Sequence, residues 1–163
     1  PPAHPPAHTG THADAPLHFL SGGAAIDGME LDAFIGPCTV LQVPGGVITG
    51  EYVDKHFPKK CKRLLIKGGG RAFFMDSSAE ELSGRGLMLI GTDSLSVGCA
   101  GNETAPHKAF MQGGTAILEG LDLSEVQPGE YFLSPPPVLY DGLEAAPVRA
   151  VLISDYIFWS GNH

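Results

Sequence analysis

Residues 8–19 read HTGTHADAPLHF, and within them three histidines and one aspartate occupy positions of a single parity. In an extended chain, side chains two residues apart point to the same face, so these four side chains would lie together. Pro16 favours an extended conformation, because proline disfavours helix at the residue before it. The sequence therefore predicts one strand face that carries His8, His12, Asp14 and His18.

Imidazole and carboxylate groups gathered on one face are typical of a metal site. Zinc, manganese and iron accept this mixture of nitrogen and oxygen ligands. Gly10 lies between the first two histidines and leaves space at the centre of the face. We interpret the segment as a site for a divalent metal. The alternatives are a histidine-rich solvated terminus and histidines that only cap loops.

Short apolar stretches alternate with short helical patterns along the rest of the chain. The apolar stretches predict strands at residues 38–43, 63–67, 87–91, 115–121, 130–133 and 148–153. Helices are predicted at residues 51–57, at the AEEL stretch that follows Ser78, and at residues 106–112. Short strands interleaved with short helices indicate an α/β domain with a mixed β-sheet.

Length and charge narrow the classes of partner. The 163 residues have the length of one domain. The formal net charge of −8 argues against nucleic acid as a partner, since phosphate contacts supply most of that affinity. The basic residues between Lys55 and Lys67 are interrupted by apolar residues, and we interpret them as a solvated edge.

Cysteine usage and hydropathy predict a cytoplasmic protein. The three cysteines, Cys38, Cys61 and Cys99, are odd in number and lack CxxC spacing, which fits a reducing compartment. No apolar run approaches the roughly 18 residues that span a bilayer, so no membrane span is expected. The first residues, Pro-Pro-Ala-His, do not have the pattern of a secretory signal peptide.

The histidine segment also resembles a known family signature. HTGTHADAPLHF is similar to the HxGTHxDxPxH signature of the cyclase family of metal-dependent hydrolases, which includes bacterial kynurenine formamidases and isatin hydrolase. Residues 107–131, HKAFMQGGTAILEGLDLSEVQPGEY, resemble the second signature of that family, a histidine followed twelve residues later by glutamate. LIGTDSLSV at residues 89–97 and GLEAAPVRAVLI at residues 142–153 resemble a strand with its turn and the closing strand.

The resemblance implies five metal ligands and one catalytic histidine. The implied ligands are His8, His12, Asp14, His107 and Glu119. Asp14 would bridge two ions in two-metal members of the family, and His107 with Glu119 would hold the second ion. His18 would be the catalytic residue and not a ligand. The expected ion is Zn²⁺, with Mn²⁺ as the alternative, at one or two ions per chain.

The residues next to Glu119 in the sequence also favour a ligand role for this carboxylate. Glu119 lies between Leu118 and Gly120 in an apolar strand, and a buried carboxylate needs a partner such as a metal ion. The alternative is a strand-end carboxylate that faces water. Asp93 follows the apolar stretch LMLIGT, and we expect it either to support the site through a hydrogen bond or to form a turn.

The resemblance implies a metal-dependent amidohydrolase that acts on carbon–nitrogen bonds other than peptide bonds. The implied substrate is a small aromatic amide: an aryl formamide such as N-formylkynurenine, from tryptophan catabolism, or a cyclic amide such as isatin. Metal-activated water would attack the carbonyl, and His18 would take the proton and pass it to the leaving nitrogen. Two alternatives remain: a metal-binding family member with a structural or regulatory role, and a cyclase in natural-product synthesis.

The same resemblance sets expectations for the whole chain. It implies a swivelling β/β/α-like fold in a single domain over residues 1–163, and we expect that the family's N-terminal strands are lacking. It further implies a homodimer or a higher homo-oligomer. Residues 154–163 have no clear family counterpart, and we expect Phe158 and Trp159 to cover the sheet edge, with closure of an apolar pocket as the alternative. Aromatic pocket walls are expected among Phe19, Phe34, Phe110 and Tyr140, of which Phe19 adjoins His18.

Overall fold

The computed structural model describes residues 7–156, in which short strands and short helices alternate. The strands are β1 (His12–Asp14), β2 (Gly36–Gln42), β3 (Gly46–Ile48), β4 (Arg63–Lys67), β5 (Ala72–Phe74), β6 (Leu89–Thr92), β7 (Ala116–Glu119), β8 (Gly129–Ser134), β9 (Ala145–Pro147) and β10 (Val151–Ile153). The α-helices are α1 (Leu31–Phe34), α2 (Gly50–His56), α3 (Asp76–Gly84) and α4 (Thr104–Gln112). The predicted positions of Phe158 and Trp159 lie outside the described residues.

Eight strands form one mixed sheet in the order β10-β8-β2-β4-β6-β7-β1-β9. The four central strands β2, β4, β6 and β7 run parallel, whereas the pairs on either side of them are antiparallel. Strands β3 and β5 form a separate parallel pair. The predicted α/β domain with a mixed sheet is confirmed.

Both faces of the central sheet are covered. In β4, Leu64 and Ile66 pack with apolar residues of α2, α3 and α4, whereas Leu65 packs on the opposite face with Phe34 of α1. This alternation follows from the period of two in a strand. Because both faces are buried, the central strands are apolar at successive positions, and the sequence shows this as continuous apolar runs.

The predicted extended face over residues 8–18 is wrong at both of its ends, because only His12–Asp14 form a strand. Gly10 has a φ of 66°, a left-handed conformation that glycine adopts without strain, and it bends the chain before β1. After β1, Pro16–His18 form a 3-10 turn in which the fixed φ of proline suits the first position. His8 and His18 therefore approach from bends on either side of the strand.

The last strand region also differs from its prediction. The predicted strand at residues 148–153 is confined to Val151–Ile153, and a separate strand, Ala145–Pro147, precedes it. The short strand AAP carries no β-branched residue, so its pattern gives no strand signal. It exists because it pairs with β1. Within residues 7–156, no helix is long and apolar enough to cross a membrane.

Candidate metal centre

The pairing of β1 with β7 brings the two signatures together. His12 lies directly opposite Glu119 in this antiparallel pair, and Asp14 lies opposite Ile117. Residues that are directly opposite share a face of the sheet, so the carboxylate of Glu119 meets the side of β1 that carries His12 and Asp14. Helix α4 packs on β7 and adds His107, which is only 3% exposed.

The carboxylate of Asp14 lies among three imidazoles. Its Oδ1 is 3.0 Å from Nδ1 of His8 and 3.5 Å from Nε2 of His12, and its Oδ2 is 3.5 Å from Nε2 of His107. Glu119 faces two of these imidazoles, with Oε1 3.0 Å from Nε2 of His107 and Oε2 3.4 Å from Nε2 of His12. The structure thus brings all five predicted ligands into one cluster.

Two ligand groups in this cluster have spacings that suit a metal ion. His8, His12 and Asp14 form one group, and Asp14, His107 and Glu119 form the other; within each, the potential ligand atoms lie within 4.8 Å of one another. Asp14 belongs to both groups and offers one oxygen to each side. The arrangement therefore has the donors for one ion or for two ions that share Asp14.

Unpaired buried atoms support the fit to a cation. Among the described residues, the buried side-chain atoms without a hydrogen-bond partner are Nε2 of His12, both carboxylate oxygens of Asp14, and Nδ1 of His18. A buried polar group without a partner costs about 1–3 kcal/mol, and more when it is charged. A divalent cation between Asp14 and His12 would give three of these four atoms a partner.

Backbone carbonyls orient two of the imidazoles. Nδ1 of His12 lies 2.9 Å from the carbonyl oxygen of Gly10, and Nδ1 of His107 lies 2.7 Å from that of Glu103. Each Nδ1–H can donate to its carbonyl, which leaves Nε2 directed at the carboxylates. A ligand histidine usually donates its other N–H in this way, so these contacts match those of a metal centre.

The charges in the centre shift the pKa values in opposite directions. Burial raises the pKa of Asp14, but its contacts with His107 and His8 outweigh burial and hold that pKa well below its usual range. Burial lowers the pKa of His107, yet contacts with Asp14 and Glu119 raise it to about 10. The pKa of Glu119 is lowered by His107 and His12 against the effect of burial. A proton on His107 thus offsets part of the carboxylate charge, and a cation that binds here would displace it.

His18 lies at the outer side of this cluster. Its ring centroid is 4.2 Å from that of His8, 4.2 Å from that of Phe19 and 6.1 Å from that of His107. It is absent from both potential ligand groups that contain Asp14. This position agrees with a role beside the ligands, although the structure also groups His18 with His8 and Glu144.

An open cavity lies over the cluster, with a volume of about 500 Å³ that includes space open to solvent. It is lined by His8, His12, His18, Phe19, Leu95, Ser96, Glu103, His107 and Glu119. The prediction of Phe19 as a pocket wall therefore agrees with the structure. The predictions for Phe34 and Phe110 are wrong, because both are fully buried in the core, and Tyr140 packs against the core on the Phe34 side.

Sequence reasoning missed two groups that support the ligands. The backbone N–H of Val97 donates to Oε1 of Glu119 at 2.7 Å. Glu144, just before β9, places its carboxylate 3.4 Å from Nε2 of His8 and 3.5 Å from Nδ1 of His18. The only sequence signal for Glu144 is an acidic residue next to an apolar stretch.

Asp93 accepts backbone hydrogen bonds from Gly68 and Gly69, so of its two predicted roles the structure favours the turn.

Comparisons with known proteins place the chain among hydrolases. The Cyclase family model matches residues 3–98. Kynurenine formamidase from Delftia acidovorans is 35% identical over 157 residues, which cover 89% of this chain and 75% of that protein. Kynurenine formamidase from Bordetella pertussis is 37% identical over 158 residues, which cover 89% of this chain and 76% of that protein.

Solved structures have the same fold. A potential metal-dependent hydrolase with cyclase activity superposes with a TM-score of 0.85 at 29% identity, over 91% of this chain and 80% of that one. A predicted metal-dependent hydrolase from Bacillus stearothermophilus gives 0.79 at 29% identity, over 91% and 78%. Isatin hydrolase A from Ralstonia solanacearum gives 0.75 at 18% identity, over 91% and 73%, which shows a shared fold.

Proposed function

Because the chain belongs to the cyclase family, we propose that it is a metal-dependent amidohydrolase that cleaves an aryl formamide such as N-formylkynurenine. Similarity to kynurenine formamidases supports hydrolysis of a carbon–nitrogen bond that is not a peptide bond. The observation that carries the proposal is the convergence of two buried carboxylates and three imidazoles in one cluster, beneath a cavity that His18 also lines.

The five clustered side chains would hold the metal. His8, His12 and Asp14 would bind one divalent ion, and Asp14 would share a second with His107 and Glu119. We propose Zn²⁺, which suits histidine and carboxylate ligands, with Mn²⁺ as the alternative. When bound, such an ion supplies water with a pKa lowered to about 7 and polarises a carbonyl oxygen.

His18 would carry the proton of the reaction. Its ring lines the same cavity as four of the five proposed ligands, and it is partly exposed, so a substrate can reach it. The imidazole would accept the proton of the attacking water and then donate it to the leaving nitrogen. The products are a carboxylate, which is formate for a formamide substrate, and an amine.

An aromatic substrate fits the apolar part of the cavity. The Phe19 ring lies 4.2 Å from the His18 ring and 4.5 Å from the His107 ring, between centroids. Leu95, on the same cavity wall, is 88% exposed. These two side chains would contact the aryl group, because aromatic rings pack favourably on both aromatic and aliphatic surfaces.

Cytoplasmic location and a homo-oligomeric state stay predictions from the sequence.

Formate release provides the test. The purified chain is depleted of metal with a chelator, reloaded with Zn²⁺ or Mn²⁺, and assayed with N-formylkynurenine, formanilide and isatin. We expect hydrolysis of the two formamides that disappears on depletion and returns on reloading. Turnover that survives complete depletion would contradict metal dependence. If the reloaded chain releases no formate but hydrolyses the ring of isatin, the aryl formamide proposal is wrong and the substrate class is a cyclic amide.

A further inference from the structure

Glu144 reaches two functional imidazoles with its two carboxylate oxygens. Oε1 lies 3.4 Å from Nε2 of His8, and Oε2 lies 3.5 Å from Nδ1 of His18. The two rings lie side by side, with centroids 4.2 Å apart and planes inclined by 36°. One carboxylate therefore spans a predicted metal ligand and the predicted catalytic histidine.

The backbone that carries Glu144 is held firmly next to β1. Ala145, the next residue, is fully buried and pairs with Asp14 in the β1–β9 ladder. The carbonyl oxygen of Glu144 itself accepts a hydrogen bond of 2.9 Å from the N–H of Ala15. The strand pairing that places Asp14 in the metal centre thus also fixes where the Glu144 side chain begins.

His8 differs from His12 and His107 in the partner of the ring nitrogen that points away from the buried carboxylates. His12 and His107 direct Nδ1 to backbone carbonyls and Nε2 to the carboxylates. His8 is reversed: Nδ1 faces Asp14, and Nε2 faces Glu144. The carboxylate of Glu144 occupies the place that a carbonyl oxygen takes for the other two.

We propose that Glu144 is a positioning residue that orients His8 and His18 together. Through Oε1 it accepts Nε2–H of His8, which leaves the Nδ1 lone pair of His8 directed at the metal side. Oε2 is the carboxylate oxygen that faces Nδ1 of His18, at 3.5 Å, and a small rotation of this half-exposed side chain would let it accept Nδ1–H. Nε2 of His18 is then the nitrogen that exchanges the proton. The His18 part rests on the proposed function, whereas the His8 part concerns metal binding alone.

The test compares Glu144→Gln with Asp141→Asn in the otherwise unchanged chain. Glutamine keeps the size of the side chain but has a single acceptor oxygen, so it cannot serve both imidazoles. Asp141 is an exposed acid three residues away, and its substitution makes the same change in charge. Zn²⁺ affinity is measured on metal-free protein by competition with a chromogenic chelator, and turnover is measured with formanilide.

We expect Glu144→Gln to weaken Zn²⁺ binding by about 10- to 100-fold, the usual cost when a hydrogen-bond partner of a metal ligand is lost. The number of bound ions should not change. At saturating Zn²⁺, kcat should fall by about tenfold or more while KM stays within about twofold. Asp141→Asn should alter none of these values by more than about twofold. Equal effects of the two substitutions would overturn the proposal, and so would loss of one ion in Glu144→Gln, since Glu144 would then be a ligand.

Two further measurements separate the His18 role from general damage. In a His18→Ala background, Glu144→Gln should still weaken Zn²⁺ binding but should lower kcat no further, because residues that act as a unit are not additive. Imidazole ¹⁵N spectra should show His18 protonated at Nδ1 in the wild type and shifted towards the other tautomer in Glu144→Gln. Additive losses in kcat, or an unchanged tautomer, would overturn the His18 part.

Failure of the proposed function gives a different pattern. If the wild type hydrolyses neither formanilide nor N-formylkynurenine, the proposed function is wrong. The Zn²⁺ affinities and the ¹⁵N spectra still decide the role of Glu144, because neither measurement needs turnover.

Discussion

The inner and outer halves of the metal centre differ in burial although they share donor types. Asp14, His107 and Glu119 are all buried, with exposed fractions of 1%, 3% and 4%. In the outer group, the side chains of His8, His18 and Glu144 are 31%, 25% and 48% exposed. Burial strengthens electrostatic interactions and penalises unpaired charge, so the inner half is suited to hold cations. The outer half meets solvent and is suited to exchange substrate and protons.

Removal of the shared carboxylate should produce the largest effect, because Asp14 belongs to both potential ligand groups of the metal centre. We expect Asp14→Asn to reduce Zn²⁺ affinity and formanilide turnover by more than about 100-fold, which exceeds the usual cost of losing a supporting partner. Elemental analysis and chelator competition measure the metal. Asp122→Asn, an exposed acid after β7, is the control. Retention of full metal content in Asp14→Asn would remove the distinction between the halves.

Loss of the outer histidine should affect turnover without affecting the inner half. We expect His18→Ala to lower kcat by about 100- to 10,000-fold, the range for a lost general acid or base, and to leave metal content near that of the wild type. The measurement pairs formate release with elemental analysis of the same sample. A variant that loses an ion would make His18 a ligand, and one with full activity would have no catalytic histidine at this position.

The pH dependence of Zn²⁺ affinity should reflect protonation of His107 in the inner half of the metal centre. The pKa of His107 is raised to about 10 by Asp14 and Glu119, although burial opposes the shift, so His107 carries a proton at neutral pH without metal. A cation must displace that proton, so affinity should rise with pH, by about tenfold per unit for each proton released between pH 6 and 8. Zn²⁺ competition at several pH values measures this slope. An affinity that is independent of pH in this range would mean that metal binding releases no proton.

Substitution of Phe19, the aromatic wall of the cavity, should have the smallest effect on catalysis. Phe19 packs beside His18 and His107, and an aromatic contact contributes about 0.5–1.5 kcal/mol beyond burial. We therefore expect Phe19→Leu to raise KM for formanilide by about two- to tenfold, with a smaller change in kcat. An aliphatic formamide serves as the control substrate, and its KM should hardly change. Equal changes for both substrates would mean that Phe19 does not contact the aryl group.

Local patterns predicted the elements that are long and apolar. The parallel strands β4, β6 and β7 and helix α2 lie close to where the sequence places them, because buried strands have continuous apolar runs and Thr49 caps α2 through a 3.2 Å hydrogen bond from Tyr52. The three-residue strands β3, β5 and β9 were missed. Their pairing partners stabilise them, and a partner distant in sequence leaves no local pattern.

The histidine segment shows both the reach and the failure of local reasoning. The donor types were evident from HTGTHADAPLHF, since imidazole and carboxylate groups gathered in one segment are typical of a metal site. The geometry was wrong, because Gly10 and Pro16 bend the chain at both ends of β1. The six predicted site residues nevertheless meet, because those bends return His8 and His18 to the same side of the sheet.

The sequence by itself determined the chemistry available to this protein: a short segment rich in metal donors, a histidine and a glutamate twelve residues apart, and alternating short strands and helices. Only the tertiary structure decided which donors meet. Glu119 reaches His12 through the pairing of β1 with β7, and Glu144 reaches His8 through the pairing of β1 with β9. Both contacts join residues more than 100 positions apart, and burial of the sheet compensates the entropy lost in closing such long loops.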